Sequence, residues 1–119
     1  MAGQNSIRQS IRRLDGIIRS YAVKHGWKAA DYQVYVHINE TWGNIQLLIA
    51  AKHFPGKTPE DQWVAVLEYL ESELKNDRPL LDALHLTLQT FDQVAEGGLY
   101  AIGEQFVPIG EFIASASTV

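Results

Sequence analysis

The chain of 119 residues contains no cysteine and only one methionine. The missing thiols exclude disulfide bonds, thiolate catalysis and zinc or iron–sulfur centres held by cysteine. Long hydrophobic runs are also missing, since a run such as Leu47–Ala51 is far shorter than the ~20 apolar residues of a membrane-spanning helix. The arginines near the start are not typical of a secretory signal. These absences predict a cytoplasmic domain that does not contact a membrane.

The residues that are present have an ordinary globular composition but an uneven distribution of charge. Apolar residues make up 46% of the chain and charged residues 20%, which is typical of a soluble protein. The length predicts a single domain, residues 1–119, with a core over about 6–113 and a frayed tail over 114–119. Residues 1–28 carry six bases and one acid, whereas residues 29–119 carry four bases and thirteen acids. Such asymmetry is typical either of an interaction surface or of a basic helix packed beside acidic ones.

Residues 7–25 show the hydrophobic periodicity of an amphipathic helix, with arginines and Asp15 on the opposite face. Ser6 is expected to cap its start, because a serine hydroxyl accepts hydrogen bonds from the first free amides of a helix. Gly26 follows the last periodic residue and supplies the left-handed conformation that helix ends favour. The face expected to be buried consists of Ile7, Ile11, Leu14, Ile17, Ile18 and Tyr21.

Two segments, residues 32–39 and 83–91, alternate apolar and polar residues with the period of two that is typical of half-buried strands. Residues 32–39 and 45–51 flank the turn-forming residues 39–44, "NETWGN", and are predicted to form a β-hairpin. Residues 83–91 are predicted to form a third strand, although the leucine-rich stretch 80–84 could instead prolong a helix. The glycine-punctuated segment after them suits a short strand followed by a short helix.

A second helix is predicted over residues 59–75. Thr58 is expected to be its N-cap, and Pro59 suits the first helical position because its missing N–H would have no partner there. The stripe expected to be buried consists of Trp63, Val66, Leu67, Leu70 and Leu74.

The spacing from Ala51 to Gly56-Lys57-Thr58 also satisfies a permissive form of the phosphate-binding P-loop. A P-loop follows a buried parallel strand, whereas the strand before this turn belongs to the predicted hairpin. Pro59 also removes a backbone amide that would lie near a phosphate. The stretch is therefore interpreted as a turn, and no nucleotide is expected to bind at Lys57.

The stretch "FPGKT", from Phe54 to Thr58, resembles the F-x-G-K-[ST] turn of BolA-family proteins. The element order helix–strand–strand–helix–strand over about residues 7–92 is also similar to the α+β fold of that family, which is related to type II KH domains. The family motif continues with an Arg-His pair, whereas this chain has Gln62 and Trp63, so the iron–sulfur partnership with monothiol glutaredoxins does not carry over. The chain also has no GXXG loop of the kind with which KH domains hold nucleic acid. The resemblance therefore implies an architecture and no cofactor.

The elements together predict an α+β domain of helix–hairpin–helix–strand order, with a three- to four-stranded sheet packed on two helices. If Val34, Val36 and Ile38 face the helices, the residues between them face outward. A face that mixes aromatic, imidazole and amide groups suits partner binding better than catalysis. The alternative is that residues 97–113 fold over this face and make it a second small core. The residues expected to bind a partner are Tyr35, His37, Leu48, His85 and Phe91.

The predicted function is a non-catalytic protein-interaction module, an adaptor or a small acidic chaperone, which binds an unidentified protein or forms a homodimer through the sheet. No metal is expected, because no pair of the four histidines has the helical spacing of a zinc motif. No catalytic residue is assigned, since spacing alone places no nucleophile beside a base. The alternative function is nucleic-acid binding through the basic first helix, which the net charge of −4 opposes because phosphate neutralisation dominates such affinity. Its candidate residues are Arg8, Arg12 and Arg19.

Overall fold

The computed structural model describes residues 2–39, 43–95 and 106–117, with side chains described from residue 7 to residue 114 within those ranges. The predicted order of helix, hairpin, helix and strand is present, and the α+β class is confirmed. The elements in chain order are α1 (Ala2–Lys24), a 3₁₀ turn (Ala29–Asp31), β1 (Tyr32–Asn39), β2 (Asn44–Ala51), α2 (Pro59–Glu73), α3 (Arg78–Ala83), β3 (Leu84–Thr90), α4 (Phe91–Gln93), β4 (Val107–Pro108) and α5 (Ile109–Ser117).

The described strands form one mixed sheet in the order β3–β2–β1–β4. β1 and β2 pair antiparallel, with Tyr35 opposite Leu48, which confirms the hairpin. β2 and β3 are parallel, with Leu48 opposite Thr87. This direction arises because the chain returns along the sheet through α2 and α3 before β3 begins. β4 is short and antiparallel to β1, with Pro108 opposite Tyr35, so β3 and β4 are the edge strands of the described sheet.

One face of the sheet packs against the helices and encloses the hydrophobic core. Val34 and Val36 of β1 point into this core, and the leucines at 84, 86 and 88 of β3 pack against its margin, so the predicted inward direction of both strands is confirmed. Burying a large aliphatic side chain contributes about 1.5–3 kcal/mol, so this cluster accounts for most of the favourable free energy of folding. The largest fully buried side chains of this core are Ile11, Leu14, Ile18, Val36, Leu47, Ile49, Leu70 and Leu74.

α1 begins earlier than the sequence predicted and ends at Lys24, one residue before the predicted end. Ser6 lies inside the helix, so its assignment as N-cap is wrong, because a capping residue has an extended backbone and Ser6 is helical. Gly26 adopts a φ of 72°. The N–H of Trp27 then donates to the carbonyl of Ala22 at 2.8 Å and satisfies a group that the helix end leaves free.

The stretch before α2 is a turn in which several residues have structural roles. Phe54 is buried and packs edge-on against Trp27, with 5.6 Å between the ring centroids. The φ of Gly56 is 129°, and its carbonyl accepts from Nε2 of Gln62 at 3.3 Å. The hydroxyl of Thr58 accepts from the backbone N–H of Asp61 at 3.1 Å, which confirms the predicted N-cap. The Thr58 side chain is therefore already engaged in starting the helix.

The leucine-rich stretch after α2 divides between a helix and a strand, since α3 ends at Ala83 and β3 begins at Leu84. Phe91 was predicted to be a strand residue, but it is the first residue of α4. The reason is a capping box: the N–H of Gln93 donates to the Thr90 hydroxyl at 3.2 Å, and the N–H of Thr90 donates to Oε1 of Gln93 at 2.8 Å. These reciprocal bonds turn the chain out of the sheet before Phe91.

The C-terminal part of the chain adds the short strand and the helix that the sequence predicted there. Ile109 belongs to the core, and Phe112 and Ile113 pack against it, so α5 lies on the same face of the sheet as α1. α5 continues to Ser117, through part of the predicted tail. Within the described ranges, none of the helices combines the length and the apolar character that crossing a bilayer requires.

Candidate functional site

The outer face of the sheet, which points away from the core, carries most of the residues predicted to bind a partner. Pairing places Tyr35, Leu48 and Thr87 in one row across β1, β2 and β3. A second row runs from His37 on β1 to His85 on β3. Since neighbouring strands lie about 4.8 Å apart, these two histidine backbones are roughly 10 Å apart. Four of the five predicted residues therefore share the outer face, and the fifth begins α4.

The centre of the outer face is closed. Leu48 is 0% exposed and Ala50 is 1% exposed, although neither belongs to the core cluster on the opposite face. The prediction that Leu48 is an exposed residue is therefore wrong. Leu48 lies on an internal strand between Tyr35 of β1 and Thr87 of β3. Phe106 packs against His37 in the neighbouring row, so the chain itself covers part of this face.

The β1 side of the outer face is partly occupied by the chain itself. The hydroxyl of Tyr35 donates to Oε1 of Gln33, and the ring of His37 lies 5.8 Å from the ring of Phe106. Tyr35 and His37 are both half-buried. The alternative interpretation expected residues 97–113 to cover this face. Phe106 lies on it, whereas α5 lies on the opposite face. Residues 96–105 lie outside the described residues.

The accessible part of the sheet is the side formed by β3. His85 and Thr87 are exposed on its outer face. Towards α2, Trp63 is 38% exposed and Val64 is 37% exposed. Among the described residues the only other exposed large hydrophobic side chain is Val23 on α1, at 79%. We use the term β3 margin for Trp63, Val64, His85, Leu86, Thr87 and Leu88.

Trp63 was predicted to lie in the buried stripe of α2, and this prediction is wrong. Its indole N–H donates to the carbonyl of Leu86 at 3.0 Å, which holds the ring against the outer edge of β3. An indole ring has a large apolar surface and one hydrogen-bond donor, so it suits a position where one part of the ring is buried and another part is exposed to solvent. In this position Trp63 connects α2 to the edge strand.

The Trp63 contact also shows which main-chain groups of β3 face away from β2. Alternate residues of a strand direct their N–H and C=O groups to opposite sides. Because the carbonyl of Leu86 meets Trp63 rather than β2, the residues of the same parity share its direction. The edge-facing residues are therefore Leu84, Leu86, Leu88 and Thr90.

Both ends of this edge are capped from within the chain, and Trp63 occupies a carbonyl in its middle. The N–H of Leu84 donates to a main-chain carbonyl of α3, and the N–H of Thr90 donates to Gln93. Between these ends, the carbonyl of Leu86 accepts from the indole of Trp63. Natural edge strands are commonly blunted in this way against indiscriminate pairing.

The surroundings of the β3 margin are acidic. Residues 60–92 contain eight aspartates and glutamates and only two bases, and one of these bases, Arg78, pairs with Asp82 at 3.0 Å. Residues four apart in a helix share a face, so Val64 has an acidic neighbour on either side along α2. The exposed acids on this face of α2 are Glu60, Glu68 and Glu71.

The arginines of the alternative nucleic-acid function do not form a uniformly free basic face. Arg8 is half-buried, and its Nε atom is buried without a hydrogen-bond partner in the described residues. Arg12 is exposed. Nε of Arg19 lies 3.2 Å from a carboxylate oxygen of Asp15, so one of the three charges is locally compensated.

Among the described residues, Tyr21 is the one with a clearly altered pKa, because burial raises the pKa of its hydroxyl. Its ring lies 4.2 Å from that of His25 and 5.1 Å from that of Tyr69. It also lines a small cavity whose other walls are apolar except for Tyr69, so no carboxylate or lysine faces it there. Within the described ranges no group of three or more His, Asp or Glu side chains could hold a metal ion.

Comparison of the chain with protein-family models, with curated proteins and with solved structures finds no match. The geometry and chemistry of the β3 margin therefore stand alone as support for a function.

The sequence interpretation missed Trp63 and Val64 as surface residues. Helical periodicity placed Trp63 with Val66 and Leu70, which are indeed buried. One local signal was available, since an indole N–H needs a polar partner and an apolar stripe offers none. Its partner is a strand carbonyl far along the chain, which local periodicity does not show.

Proposed function

We propose that the chain is a non-catalytic protein-interaction module, of the adaptor or small acidic chaperone type, and that it binds its partner through the β3 margin. The observation that supports this most directly is that two of the three exposed large hydrophobic side chains of the described residues, Trp63 and Val64, flank an edge strand. Apolar groups exposed together usually mark a surface that a partner covers.

Because Leu48 is buried at the centre of the outer face, the proposed binding surface does not include it. Of the residues first assigned to partner binding, His85 remains part of the proposed surface, because it is exposed on β3. Tyr35 and His37 are half-buried beside residues of their own chain. The proposal therefore places partner contacts along the side of the sheet rather than across its face.

Charge favours a protein partner over nucleic acid at this surface. The acids of α2 beside Val64 would repel a phosphate backbone, since such binding depends on neutralising phosphates with lysine and arginine. On α1, the Asp15–Arg19 ion pair reduces the basic character that the alternative requires.

A matched pair of valines tests the proposal. We expect Val64→Ser to weaken capture of a specific partner at least tenfold and Val23→Ser to leave it unchanged, although Val23 is the more exposed of the two. A photo-crosslinking amino acid at each position, followed by mass spectrometry of the cross-linked band, identifies the partner. Light scattering of the purified variants shows whether that partner is a second copy.

The result that contradicts the proposal is equally definite. If position 23 yields the specific cross-link and position 64 does not, the working surface is on α1. If the two valine variants weaken capture equally, exposure of an apolar side chain is what matters and the β3 margin has no special role.

A further inference from the structure

We infer that the segment bound at the β3 margin is a helix that lies along α2 and carries one large apolar side chain between two basic ones, each of them one turn away. This inference rests on the proposed function, because it names the chemistry of the partner at the same surface. The contact uses the side of α2 that turns away from the core.

The exposed side of α2 presents one apolar side chain between two acids. Residues four apart in a helix share a face and lie about 6 Å apart along the axis, so Glu60, Val64 and Glu68 form a line about 12 Å long. All three side chains are exposed. In the part of the chain that the structure describes, neither glutamate takes part in an ion pair. Both negative charges are therefore available to a partner.

Trp63 adds a rigid apolar surface beside this line. Its side chain is 38% exposed, and its indole N–H is already bonded to the carbonyl of Leu86 at 3.0 Å. Because this bond holds the ring before a partner arrives, little side-chain freedom is lost on binding. The half-buried Leu67 lies one turn further along α2, next to both Trp63 and Val64. These three side chains form the contact for one large apolar side chain of the partner.

The main chain of α2 explains why the partner is a helix. The N–H and C=O groups inside α2 bond to one another, so this surface offers a partner side chains and no main-chain groups. An extended partner would turn some of its own N–H and C=O groups towards apolar side chains without a bond, which is costly. A helix satisfies these groups internally and presents its side chains alone. At the neighbouring edge of β3, Trp63 already occupies the carbonyl of Leu86.

The two glutamates select the charge of the partner. Lysine or arginine one turn before and one turn after the apolar side chain would lie opposite Glu60 and Glu68. The partner is therefore expected to contain the pattern basic-x-x-x-apolar-x-x-x-basic. Lys75 lies one turn after Glu71 on the same side of the chain's own helices and offsets its charge. The complementary stretch of the partner therefore covers the line from Glu60 to Glu68.

A second copy of the chain fits this description poorly. Outside the β3 margin, the exposed large hydrophobic side chain of the described residues is Val23 on α1. Arg19 lies one turn before Val23, but its Nε atom is paired with Asp15 at 3.2 Å. α1 ends at Lys24, so no further turn of helix follows Val23 to carry the second base. The occupant is therefore a helix of another protein.

The test uses the full chain and synthetic peptides of defined sequence. The probe is the peptide Ala-Gln-Ala-Ala-Lys-Ala-Ala-Ala-Leu-Ala-Ala-Ala-Lys-Ala-Ala-Gln-Ala with blocked termini, which is long enough to populate a helix. In ¹⁵N-labelled protein we expect it to shift the indole N–H signal of Trp63 and the amide signals of Val64 and Glu68, but not the amide signal of Val23. The control peptide, in which glutamate replaces both lysines, should bind at least tenfold more weakly.

Two further peptides separate the helical arrangement from composition and charge. In one, each lysine is moved two positions towards the leucine, so that both lysines lie on the opposite side of the helix from it. We expect this peptide to bind at least fivefold more weakly. The other is the blocked pentapeptide Lys-Ala-Leu-Ala-Lys, which presents the same three side chains at the spacing of an extended chain and is too short to form a helix. We expect it to bind at least tenfold more weakly.

Two glutamates of α2 provide matched variants of the protein. Glu68→Gln removes a charge beside Val64 and should weaken binding of the lysine peptide at least threefold. Glu73→Gln removes an exposed charge from the opposite side of the same helix, because the nine residues from Val64 to Glu73 make two and a half turns. This variant should have little effect. Equal losses in the two variants would show a general charge attraction and contradict the inferred contact.

The outcomes that overturn the inference differ from those that overturn the proposed function. Equal affinity for the glutamate peptide rules out the basic partner, and equal affinity for the pentapeptide rules out the helix. Shifts at Val23 in place of Val64 would put the helix on α1. A complete lack of peptide binding overturns the inference, while a specific cross-link from position 64 would still support the proposed function.

Discussion

At the scale of single residues, Tyr21 combines burial with an unsatisfied polar group. It is 4% exposed, and its hydroxyl has no hydrogen-bond partner in the part of the chain that the structure describes. A buried polar group left unpaired costs about 1–3 kcal/mol. We therefore expect Tyr21→Phe to raise the free energy of unfolding at pH 7 by an amount in this range, measured by urea titration. A lower midpoint in the variant would show that the hydroxyl is satisfied in solution.

The same residue predicts a dependence of stability on alkaline pH. Burial raises the pKa of Tyr21, so the unfolded chain loses this proton at a lower pH than the folded chain does. The folded state therefore favours the protonated hydroxyl over the ionised one. The unfolding free energy does not depend on this group below a pH of about 10, the ordinary pKa of tyrosine, and it falls as pH rises through the raised pKa. We expect the unfolding free energy of the wild type to fall more steeply than that of Tyr21→Phe between pH 9 and pH 11. Parallel curves would contradict the shift.

Thr58 shows that some residue roles follow from the nearest few positions. We expect Thr58→Ala to lower the free energy of unfolding by about 1 kcal/mol, because the hydroxyl that accepts from Asp61 is removed. Thr58→Ser keeps the hydroxyl and should lose less than half as much. Chemical denaturation of the three proteins decides the point, and identical midpoints would mean that the cap does not contribute to stability.

At the scale of elements, α1 contains a glycine that neither packing nor backbone conformation requires. A Cβ at Gly16 would meet no atom within 4 Å, whereas a Cβ at Gly56 would lie 3.0 Å from the backbone N of Gln62. Alanine in a helix interior is favoured over glycine by about 1 kcal/mol. We expect Gly16→Ala to stabilise the protein by that amount and Gly56→Ala to destabilise it. Thermal unfolding of both variants checks the contrast, and a loss of stability in Gly16→Ala would reveal a contact at that helix face.

Complete burial makes Leu48 a structural residue, although it points to the outer face of the sheet. Leu→Ala substitutions at buried positions cost about 2–5 kcal/mol because burial is lost and a cavity remains. We expect Leu48→Ala to lose stability within this range and Thr87→Ala, at the paired but exposed position on β3, to lose much less. Circular dichroism melts compare the two. A loss below ~1 kcal/mol for Leu48→Ala would return Leu48 to the list of surface residues.

At the scale of the whole molecule, a long-range ion pair joins the first helix to the connection between α2 and α3. Arg13 donates to Asp77 at 3.0 Å and to the backbone carbonyl of Glu73 at 3.2 Å. Because both side chains of the ion pair are partly exposed, we expect Arg13→Ala to cost at most about 1 kcal/mol. Arg12→Ala, which removes the neighbouring exposed arginine, is the control. Equal losses in the two variants would show that general charge, rather than this contact, links the elements.

The sequence alone determined the features that depend on residues close together in the chain. The N-cap at Thr58 and the left-handed turn at Gly26 each need only a few neighbouring residues, and the sequence predicted both correctly. The hairpin of β1 and β2 was predictable for the same reason, since its strands are joined by a short turn. Period-two alternation also predicted which side of each strand faces the core, and it placed His85 on the outer face.

Only the tertiary structure decided which strand is internal and which is an edge. The pairing of β2 with β3 crosses α2 and α3, so it depends on packing between distant segments and leaves no local pattern. That pairing makes β2 an internal strand and β3 an edge strand of the described sheet, where Trp63 meets the carbonyl of Leu86. Alternation shows the direction of a side chain, but exposure depends on what lies beside it. For this reason the outward direction of Leu48 was predictable from the sequence and its burial was not.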